Sequence, residues 1–456
     1  MATRNQFWTH PSILRLARPS DPVGCITQKA RDLVFDAIEA GWSGPPFDPF
    51  ALADHLKLPV IPREDILDAR TIPMEGEGVQ IEFNPNRPSG RIRFSIAHEV
   101  AHTLFPDCQE RVRNRAAREH MLGDDWQLEL LCNVAAAELL MPIGSFPDLK
   151  DKARSIDSLM ELRKQYDVST EALLLRVVRL TDAACTMFCA SRRDQGDASD
   201  RYRIDYAVGS RSWSHSLASG VLLPVSTIMR ECTAIGFTAK GDEQWPGIPP
   251  KLHVEAVGIP PFPKHRYPRV VGIAQVPDGL TTARPRITYL RGDATRPRGL
   301  GLRIICHVVN DKTPRWGGGF ALGVRRGFSD VQQDFMSWAE QHADLFTLGN
   351  AQLCNVDDTL AIFSMICQKG YGSSRTPRVR YAAMKTCLDR LGDIAVTSAA
   401  SIHMPRIGCG QAGGAWDIVS ELIDESLCSR GISVTVYDLP GSDSGSSAVQ
   451  KGLFEA

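Results

Sequence analysis

Two histidines four residues apart, with a glutamate between them, carry the clearest chemical signal in this sequence. Residues His98 to His102 read His-Glu-Val-Ala-His. On a helix, histidines at this spacing project from one face, one turn apart, so both can bind one metal ion while Glu99 faces the remaining coordination position. A hydrolytic metal site uses three protein ligands and an open position for a water molecule, whose proton a carboxylate accepts. The motif therefore predicts a metal-dependent hydrolase with Glu99 as the general base.

The residues around the motif predict a helix. Ile96, Val100 and Leu104 form an apolar stripe beside the two histidines, as in a helix that packs on a core. Ser95 is expected to cap the start of this helix, and Pro106 is expected to end it.

The third metal ligand is not fixed by the motif itself. A metzincin would continue with a glycine and a third histidine, but Phe105 and Cys108 stand at those positions, which excludes that class. Glu129, His120 and Glu138 remain as candidates. Glu129 opens a second helical pattern, Glu138 lies at a different helical angle, and His120 sits in a stretch without clear periodicity. Spacing alone leaves the choice open.

Both helical segments resemble the signature of the ImmA/IrrE family of bacterial metallopeptidases. The resemblance lies in Arg93 to His102 and in Glu129 to Pro142, within a region of roughly residues 25 to 180. It implies the following roles: His98, His102 and Glu129 as metal ligands, Glu99 as the catalytic residue and Glu138 as a structural residue.

The same resemblance implies a metal and a substrate class. Two histidines and one glutamate with an open site suit zinc, and manganese is compatible with such ligands. Family members cleave repressors with helix-turn-helix domains during stress or mobile-element induction. The implied activity is an endopeptidase acting on a regulatory protein in a stress, DNA-damage or phage-related response. No helix-turn-helix is evident in this sequence, so the repressor is expected to be a separate protein.

Composition is that of an ordinary globular protein. The 456 residues are 43% hydrophobic and 23% charged, enough for about two to three domains. A net charge of −1 without a long basic run argues against direct nucleic-acid binding. Without a secretion signal or a run of about 18 apolar residues, we expect a cytoplasmic protein that does not associate with membranes. Twelve scattered cysteines without a C-x-x-C pair favour reduced core thiols.

The period of the apolar residues changes in the region 183–278. Cys185 to Ala190 predicts a buried strand, residues 202 to 208 alternate, and Val270 to Val276 forms another apolar run. Proline and glycine cluster from Pro246 to Pro268, which predicts long loops. We expect a small β-rich domain here. In the family resembled, a GAF-like domain suspected of sensing a ligand often follows the peptidase, and only that resemblance implies a GAF-like fold.

Strands and helices alternate from residue 286 to residue 440. Such alternation is typical of an α/β domain with its ligand site at the carboxyl ends of the strands. The predicted strands are Ile287–Leu290, Arg303–Val309, Leu360–Cys367, Ser401–Met404 and Ser433–Tyr437. The predicted helices are Val331–Gln341, Arg380–Leu391 and Trp416–Cys428.

Two glycine-rich loops, Trp316 to Ala321 and Pro405 to Trp416, follow predicted strands. Glycine lets backbone N–H groups approach an anion closely, and a helix N-terminus adds partial positive charge. Together the two loops are suited to hold a diphosphate. Neither loop fits the dinucleotide fingerprint or the P-loop.

With Gly292–Thr295 and Cys306–Asn310, these loops resemble a macrodomain, the ADP-ribose-binding fold, over about residues 286 to 440. The resemblance implies that Asp293 contacts the adenine amino group and that Asn310 contacts the distal ribose. Contacts to ribose and diphosphate are implied for Gly317, Gly318, Gly319, Phe320, Gly408, Cys409, Gly410, Gln411, Ala412 and Gly413.

The C-terminal region departs from one group of macrodomains in the positions that carry catalysis. Macrodomains that remove ADP-ribose from acidic residues have a lysine after the central strand and an aspartate after the Ile-Gly-Cys-Gly turn. Here Gln368, with Lys369 one residue later, and Ala412 match those positions. The departure favours binding or sensing over hydrolysis.

The sequence thus predicts a multidomain protein of α+β and α/β class. Its expected parts are a helical, gluzincin-like ImmA/IrrE domain (1–182), a β-rich, GAF-like domain (183–278), a three-layer α/β/α macrodomain (286–440) and a flexible tail (441–456). The predicted function is a zinc endopeptidase gated by ADP-ribose or an ADP-ribosylated protein. Two alternatives stay open: an ADP-ribosyl hydrolase or ADP-ribose-binding regulator that uses the peptidase fold for recognition, and a regulator that binds a repressor without cutting it.

Overall fold

The computed structural model describes residues 8–17, 20–74, 78–110, 113–114, 124–146, 155–192, 201–210, 212–215, 217–248, 251–261, 265–276, 287–372, 374 and 376–439. The chain divides into two compact units, of which the first holds most residues up to Thr282 and the second most residues from Ala283 onward. His120 and the predicted tail lie outside the described residues. Among the residues that are described, no helix has the length and apolar character needed to cross a membrane. The predicted domain boundaries stay predictions.

The first unit begins with a helical part that contains a small mixed sheet. Its helices are α1 (Pro11–Ala17), α2 (Pro22–Glu39), α3 (Pro49–His55), α4 (Ser89–His102), α5 (Asp125–Leu140), α6 (Ile156–Tyr166) and α7 (Thr170–Leu180). Its strands are β1 (Val60–Pro62), β2 (Ala69–Pro73), β3 (Val79–Phe83) and β4 (Arg113–Asn114), in the order β1-β3-β2-β4. Strand β1 runs parallel to β3, and β2 runs antiparallel to both β3 and β4.

Helix α4 carries the histidine motif and starts earlier than predicted. It begins at Ser89, after Pro88, whereas Ser95 is buried within it. The Ser95 hydroxyl donates to Asp68 Oδ1 at 2.9 Å. The prediction that Ser95 caps the helix was therefore wrong: its hydroxyl fixes α4 to the loop before β2.

A buried ionic cluster joins three helices of this unit. Glu138 on α5 accepts from Arg31 on α2 at 3.1 Å. It also accepts from both terminal nitrogens of Arg176 on α7, at 2.5 and 3.0 Å. These side chains are 3% exposed for Glu138, 10% for Arg31 and 4% for Arg176, so the charges are shielded from water and the carboxylate pairs with both guanidinium groups. The cluster therefore ties α5 to α2 and α7.

The second part of the first unit is an antiparallel sheet, as expected for a β-rich region. It contains β5 (Cys185–Arg192), β6 (Tyr202–Gly209), β7 (Thr238–Glu243), β8 (Leu252–Ile259) and β9 (Arg269–Gln275), in the order β6-β5-β9-β8-β7. Strand β8 lies inside the stretch predicted to be loops, and that prediction was wrong. Leu252, Val254 and Ala256 alternate with partly exposed residues and are fully buried, a period of two that the flanking prolines concealed. The GAF-like character stays a prediction.

In the part of the chain that the structure describes, the second unit contains a mixed six-stranded sheet and four α-helices. Its strands are β10 (Thr288–Arg291), β11 (Arg303–Asn310), β12 (Ala351–Asp357), β13 (Leu360–Gln368), β14 (Ser401–Met404) and β15 (Val434–Asp438). Its helices are α8 (Gly319–Gly327), α9 (Ser329–Gln341), α10 (Tyr381–Ser398) and α11 (Trp416–Ser426). The strand order is β10-β15-β14-β11-β13-β12, and every pair is parallel except β12 with β13.

Side chains from both faces of this sheet are buried under helices. On one face Ile305 and Val309 pack with Phe335 of α9 in one apolar core. Cys306, the residue after Ile305, is buried on the other face, where burial and the neighbouring thiol of Cys387 on α10 raise its pKa. This alternation gives the layered α/β arrangement that the sequence predicts. Helix α8 and strand β12 were not predicted, because α8 begins within a glycine run and β12 is a mostly exposed antiparallel edge strand.

Candidate functional site

Helices α4 and α5 bring His98, His102 and Glu129 together. His98 Nε2 lies 3.1 Å from Glu129 Oε2, and His102 Nε2 lies 3.5 Å from Glu129 Oε1. Both histidines are fully buried and Glu129 is 8% exposed. Each carboxylate oxygen thus faces one Nε2 atom, which is the donor set of a hydrolytic metal centre.

The other ring nitrogen of each histidine is held by the same helix, α5. His98 Nδ1 lies 3.0 Å from Asn133 Oδ1, and His102 Nδ1 lies 3.3 Å from Cys132 Sγ. A neutral histidine that donates from Nδ1 keeps Nε2 as its metal-binding atom. Asn133 and Cys132 therefore orient both imidazoles toward Glu129.

The donor set fits a divalent metal ion. His102 Nε2 is buried and makes no hydrogen bond with any residue that the structure describes, an arrangement that costs free energy unless a ligand binds there. A cation between Glu129 and the two histidines would meet this need. His98, His102 and Cys132 also offer ligand atoms within 4.8 Å of one another. We favour Glu129 as the third donor, because Cys132 contacts Nδ1 of His102 whereas the Nε2 atoms of both histidines face Glu129.

The electrostatics of the site favour an ionised Glu129. Burial on its own raises the pKa of this carboxyl group, but the neighbouring imidazoles of His98 and His102 outweigh burial and hold the pKa well below its usual range. An ionised carboxylate is the form that binds a metal.

Glu99 lies on α4 between the histidines and is fully buried. Its Oε2 accepts a hydrogen bond of 2.7 Å from the hydroxyl of Thr71 on β2. Sequence reasoning missed Thr71, because nothing in the local pattern of β2 indicates that it meets α4. Of the other ligand candidates, Glu138 is engaged in the arginine cluster and His120 lies outside the described residues.

The second unit brings its predicted motifs to the carboxyl edge of its parallel strands. Asp293 follows β10 and its Oδ1 accepts from Thr295 N at 2.9 Å. Asn310 ends β11, and its Oδ1 accepts from Lys312 N and Thr313 N, each at 2.9 Å. These bonds fix the turns that present both side chains.

The two glycine-rich loops lie against each other. A Cβ atom added at Gly318 would lie 2.9 Å from Gln411 Oε1, so only glycine fits at this position without moving Gln411. Gly319, the first residue of α8, and Gly408 have φ angles of +58° and +72°, which favour glycine. Gly317, Gly410 and Gly413 are exposed, as is Gln411, and Phe320 is half-buried. The N-terminus of α8 therefore lies beside the second glycine-rich loop, which is the arrangement that an anion-binding site requires.

The positions that distinguish hydrolytic macrodomains hold no matching groups. Gln368 Nε2 donates to Gly370 O at 2.8 Å, and Lys369 is exposed. Ala412 is buried, and its carbonyl oxygen accepts from two backbone N–H groups of the β13–α10 loop, at 2.7 and 3.0 Å. Burial raises the pKa of Cys409 to about 12, which favours the protonated thiol at neutral pH.

Residues 68–178 match the family model described as an IrrE N-terminal-like domain. The chain is 31% identical over 142 residues to the radiation response metalloprotease IrrE of Deinococcus deserti, covering 29% of this chain and 50% of that protein. It is 32% identical over 162 residues to a chromodomain-helicase-DNA-binding protein 1-like of Danio rerio, covering 33% of this chain and 15% of that protein. The chain thus spans half or less of the length of these curated relatives.

Among solved structures, a macrodomain protein from Streptomyces coelicolor is 42% identical. The similarity covers 34% of this chain and 99% of that one, with a TM-score of 0.30. Residues 68–178 therefore match an IrrE-type peptidase domain, and about a third of the chain is similar in sequence to a macrodomain protein.

Proposed function

We propose that this protein is a cytoplasmic, zinc-dependent endopeptidase that cleaves a regulatory protein, a separate helix-turn-helix repressor, in a stress, DNA-damage or phage-related response. The observation that carries the proposal is the convergence of His98, His102 and Glu129 in a buried site. Its macrodomain binds ADP-ribose or an ADP-ribosylated protein and gates the peptidase.

The residues of the first unit have distinct tasks in this proposal. His98, His102 and Glu129 bind the metal, which when bound supplies a Lewis acid that activates a water molecule. Glu99 accepts the proton of that water and later delivers it to the leaving amine. Burial of the whole group strengthens these electrostatic interactions by excluding bulk water.

The metal centre can be tested without knowing the substrate. We expect purified protein to contain one zinc per chain, and His98→Ala to lose it, because two of three ligands hold zinc poorly. Elemental analysis measures this. His253→Ala is the matched control, since His253 is a partly exposed histidine that pairs with Asp242 at 2.9 Å, and it should retain the metal. Wild-type protein without metal would contradict the proposal and favour a regulator that does not cut.

The second unit is tested by calorimetric titration with ADP-ribose. Gly318→Ala is expected to weaken binding about tenfold or more, because the new methyl group displaces Gln411 and occupies the space where the loops meet. Gly327→Ala is the control, since a Cβ atom there meets nothing within 4 Å. Equal affinities of the two variants, or no binding by the wild type, would exclude this cleft as the ADP-ribose site. Release of ADP-ribose from a modified protein by Glu99→Gln protein would instead support the hydrolase alternative.

Gating sets a thermodynamic requirement. To change the ratio of competent to incompetent peptidase from 1:99 to 99:1, ADP-ribose must bind the competent state more favourably by about 5.5 kcal/mol. A ligand with equal affinity for both states leaves proteolysis unchanged. Cleavage rates that are the same with and without saturating ADP-ribose would therefore remove gating from the proposal while leaving both sites intact.

A further inference from the structure

We propose that Thr71 is a positioning residue that fixes the carboxylate of Glu99 for its role as base. Among the described residues, the Thr71 hydroxyl makes two hydrogen-bond contacts, and both are with Glu99. The hydroxyl oxygen lies 2.7 Å from Oε2 and 3.4 Å from the backbone oxygen. The proposal rests on the proposed peptidase function and adds a residue from outside the motif helix to it.

The small sheet holds Thr71 in place. Strand β2 lies between β3 and β4, and Thr71 is paired with Ile81 on one side and Arg113 on the other. Along β2, Ala69 and Thr71 are buried, while Arg70 between them pairs with Glu82 on β3 at 2.7 Å. A shift of one residue would turn the hydroxyl to the opposite face. The register of β2 therefore sets the direction from which Glu99 is held.

The free energy of burying the Thr71 hydroxyl favours its hydrogen bond to the Glu99 carboxylate. A hydroxyl in a fully buried position costs free energy unless it forms a hydrogen bond, and Thr71 is 0% exposed. Its single proton goes to the nearer acceptor, Oε2 of Glu99. A hydrogen bond to an ionised carboxylate, the form that a general base must take, is about twice as strong as a neutral one. Threonine is restricted in χ1, so the donor direction is fixed. The bond to Oε2 therefore restricts the orientation of the whole Glu99 carboxylate group.

A valine at position 71 would suit a buried strand equally well if the residue only filled space. The structural alternative is thus a core residue with an incidental hydrogen bond. Thr71→Val removes the hydroxyl and keeps the shape, whereas Thr71→Ser keeps the hydroxyl. Thr186→Val is the matched control, because Thr186 is a fully buried strand threonine whose hydroxyl donates to Met187 O at 3.2 Å.

The probes are cobalt(II) and acetohydroxamate, added to the whole 456-residue chain. A hydroxamate binds a metal through two oxygens and donates a hydrogen bond to a carboxylate beside it. Cobalt affinity is followed by visible absorption, and acetohydroxamate affinity by the change in that spectrum. We expect all Thr71 and Thr186 variants to bind cobalt as the wild type does. Thr71→Val should weaken acetohydroxamate binding about tenfold, as loss of a hydrogen bond to a charged group does, and Thr71→Ser and Thr186→Val should not.

Each outcome of these titrations supports or overturns the positioning role of Thr71. Acetohydroxamate affinity of Thr71→Val within twofold of the wild type overturns the positioning role, as does equal weakening in Thr186→Val or no recovery in Thr71→Ser. Glu99→Gln protein with unchanged acetohydroxamate affinity overturns it as well, because Glu99 would not face the probe. Wild-type protein that does not bind cobalt refutes the metal centre itself, which separates failure of the proposed function from failure of the role of Thr71.

Discussion

Glu99→Gln is expected to reduce proteolysis at least a hundredfold, with metal binding unchanged. The substitution keeps the size of the side chain and can still accept from Thr71, but an amide cannot take a proton from water at neutral pH. General-base catalysis contributes about 10² to 10⁴ in rate. Because Glu99 is not among the proposed ligands, elemental analysis should find as much zinc in the variant as in the wild type.

The measurement does not require a known substrate. Purified protein is incubated with a bacterial protein extract, and new N-termini are quantified by mass spectrometry. Glu161→Gln is the control, since Glu161 is a 73% exposed glutamate on α6 whose partner is Lys164. New termini produced equally by wild type and Glu99→Gln would show that Glu99 is not the base. No new termini from the wild type would favour a protein that binds its partner without cleaving it.

Glu138→Ala is expected to destabilise the first unit by about 3–5 kcal/mol. The reason is the buried cluster with Arg31 and Arg176, whose guanidinium groups would keep their charge without the carboxylate that compensates it. Glu138→Gln, which retains an acceptor but no charge, is expected to lie between the wild type and Glu138→Ala.

Urea unfolding followed by circular dichroism measures this effect. With a slope of about 1–3 kcal/mol per molar urea, the midpoint of the transition should fall by about 1 M or more in Glu138→Ala. A chain with two units does not have to unfold in a single two-state transition. The midpoints of the urea transitions are therefore compared, rather than extrapolated free energies of unfolding. Glu161→Ala breaks an exposed pair and should change the free energy of unfolding by less than about 1 kcal/mol. Equal midpoints for Glu138→Ala and Glu161→Ala would contradict the importance of the buried cluster.

The sequence by itself determined the motif helix, the second helix that contains Glu129, and the alternation of the C-terminal α/β region, although the second helix begins earlier than predicted, at Asp125. These features depend on local spacing: a period of 3.6 places His98 and His102 on one face, and strands that end in Asn310 or Met404 carry their loops to one edge of a parallel sheet. The resemblance to the ImmA/IrrE and macrodomain families rests on the same local patterns. The prediction for Ser95 was wrong because it used a local capping rule, whereas the Ser95 hydroxyl makes a tertiary hydrogen bond to Asp68.

Only the tertiary structure decided which distant residues meet. The register of β2 places the Thr71 hydroxyl within hydrogen-bond distance of Glu99. The side chain of Gln411 on one glycine-rich loop lies beside Gly318 on the other. Cys132 and Asn133 on α5 contact the imidazoles of His102 and His98 on α4, because the two helices pack against each other. Such contacts link residues between roughly 30 and 100 positions apart, and no periodic pattern encodes them. They follow from the packing of whole elements, which buries apolar faces and leaves each polar group to find its partner.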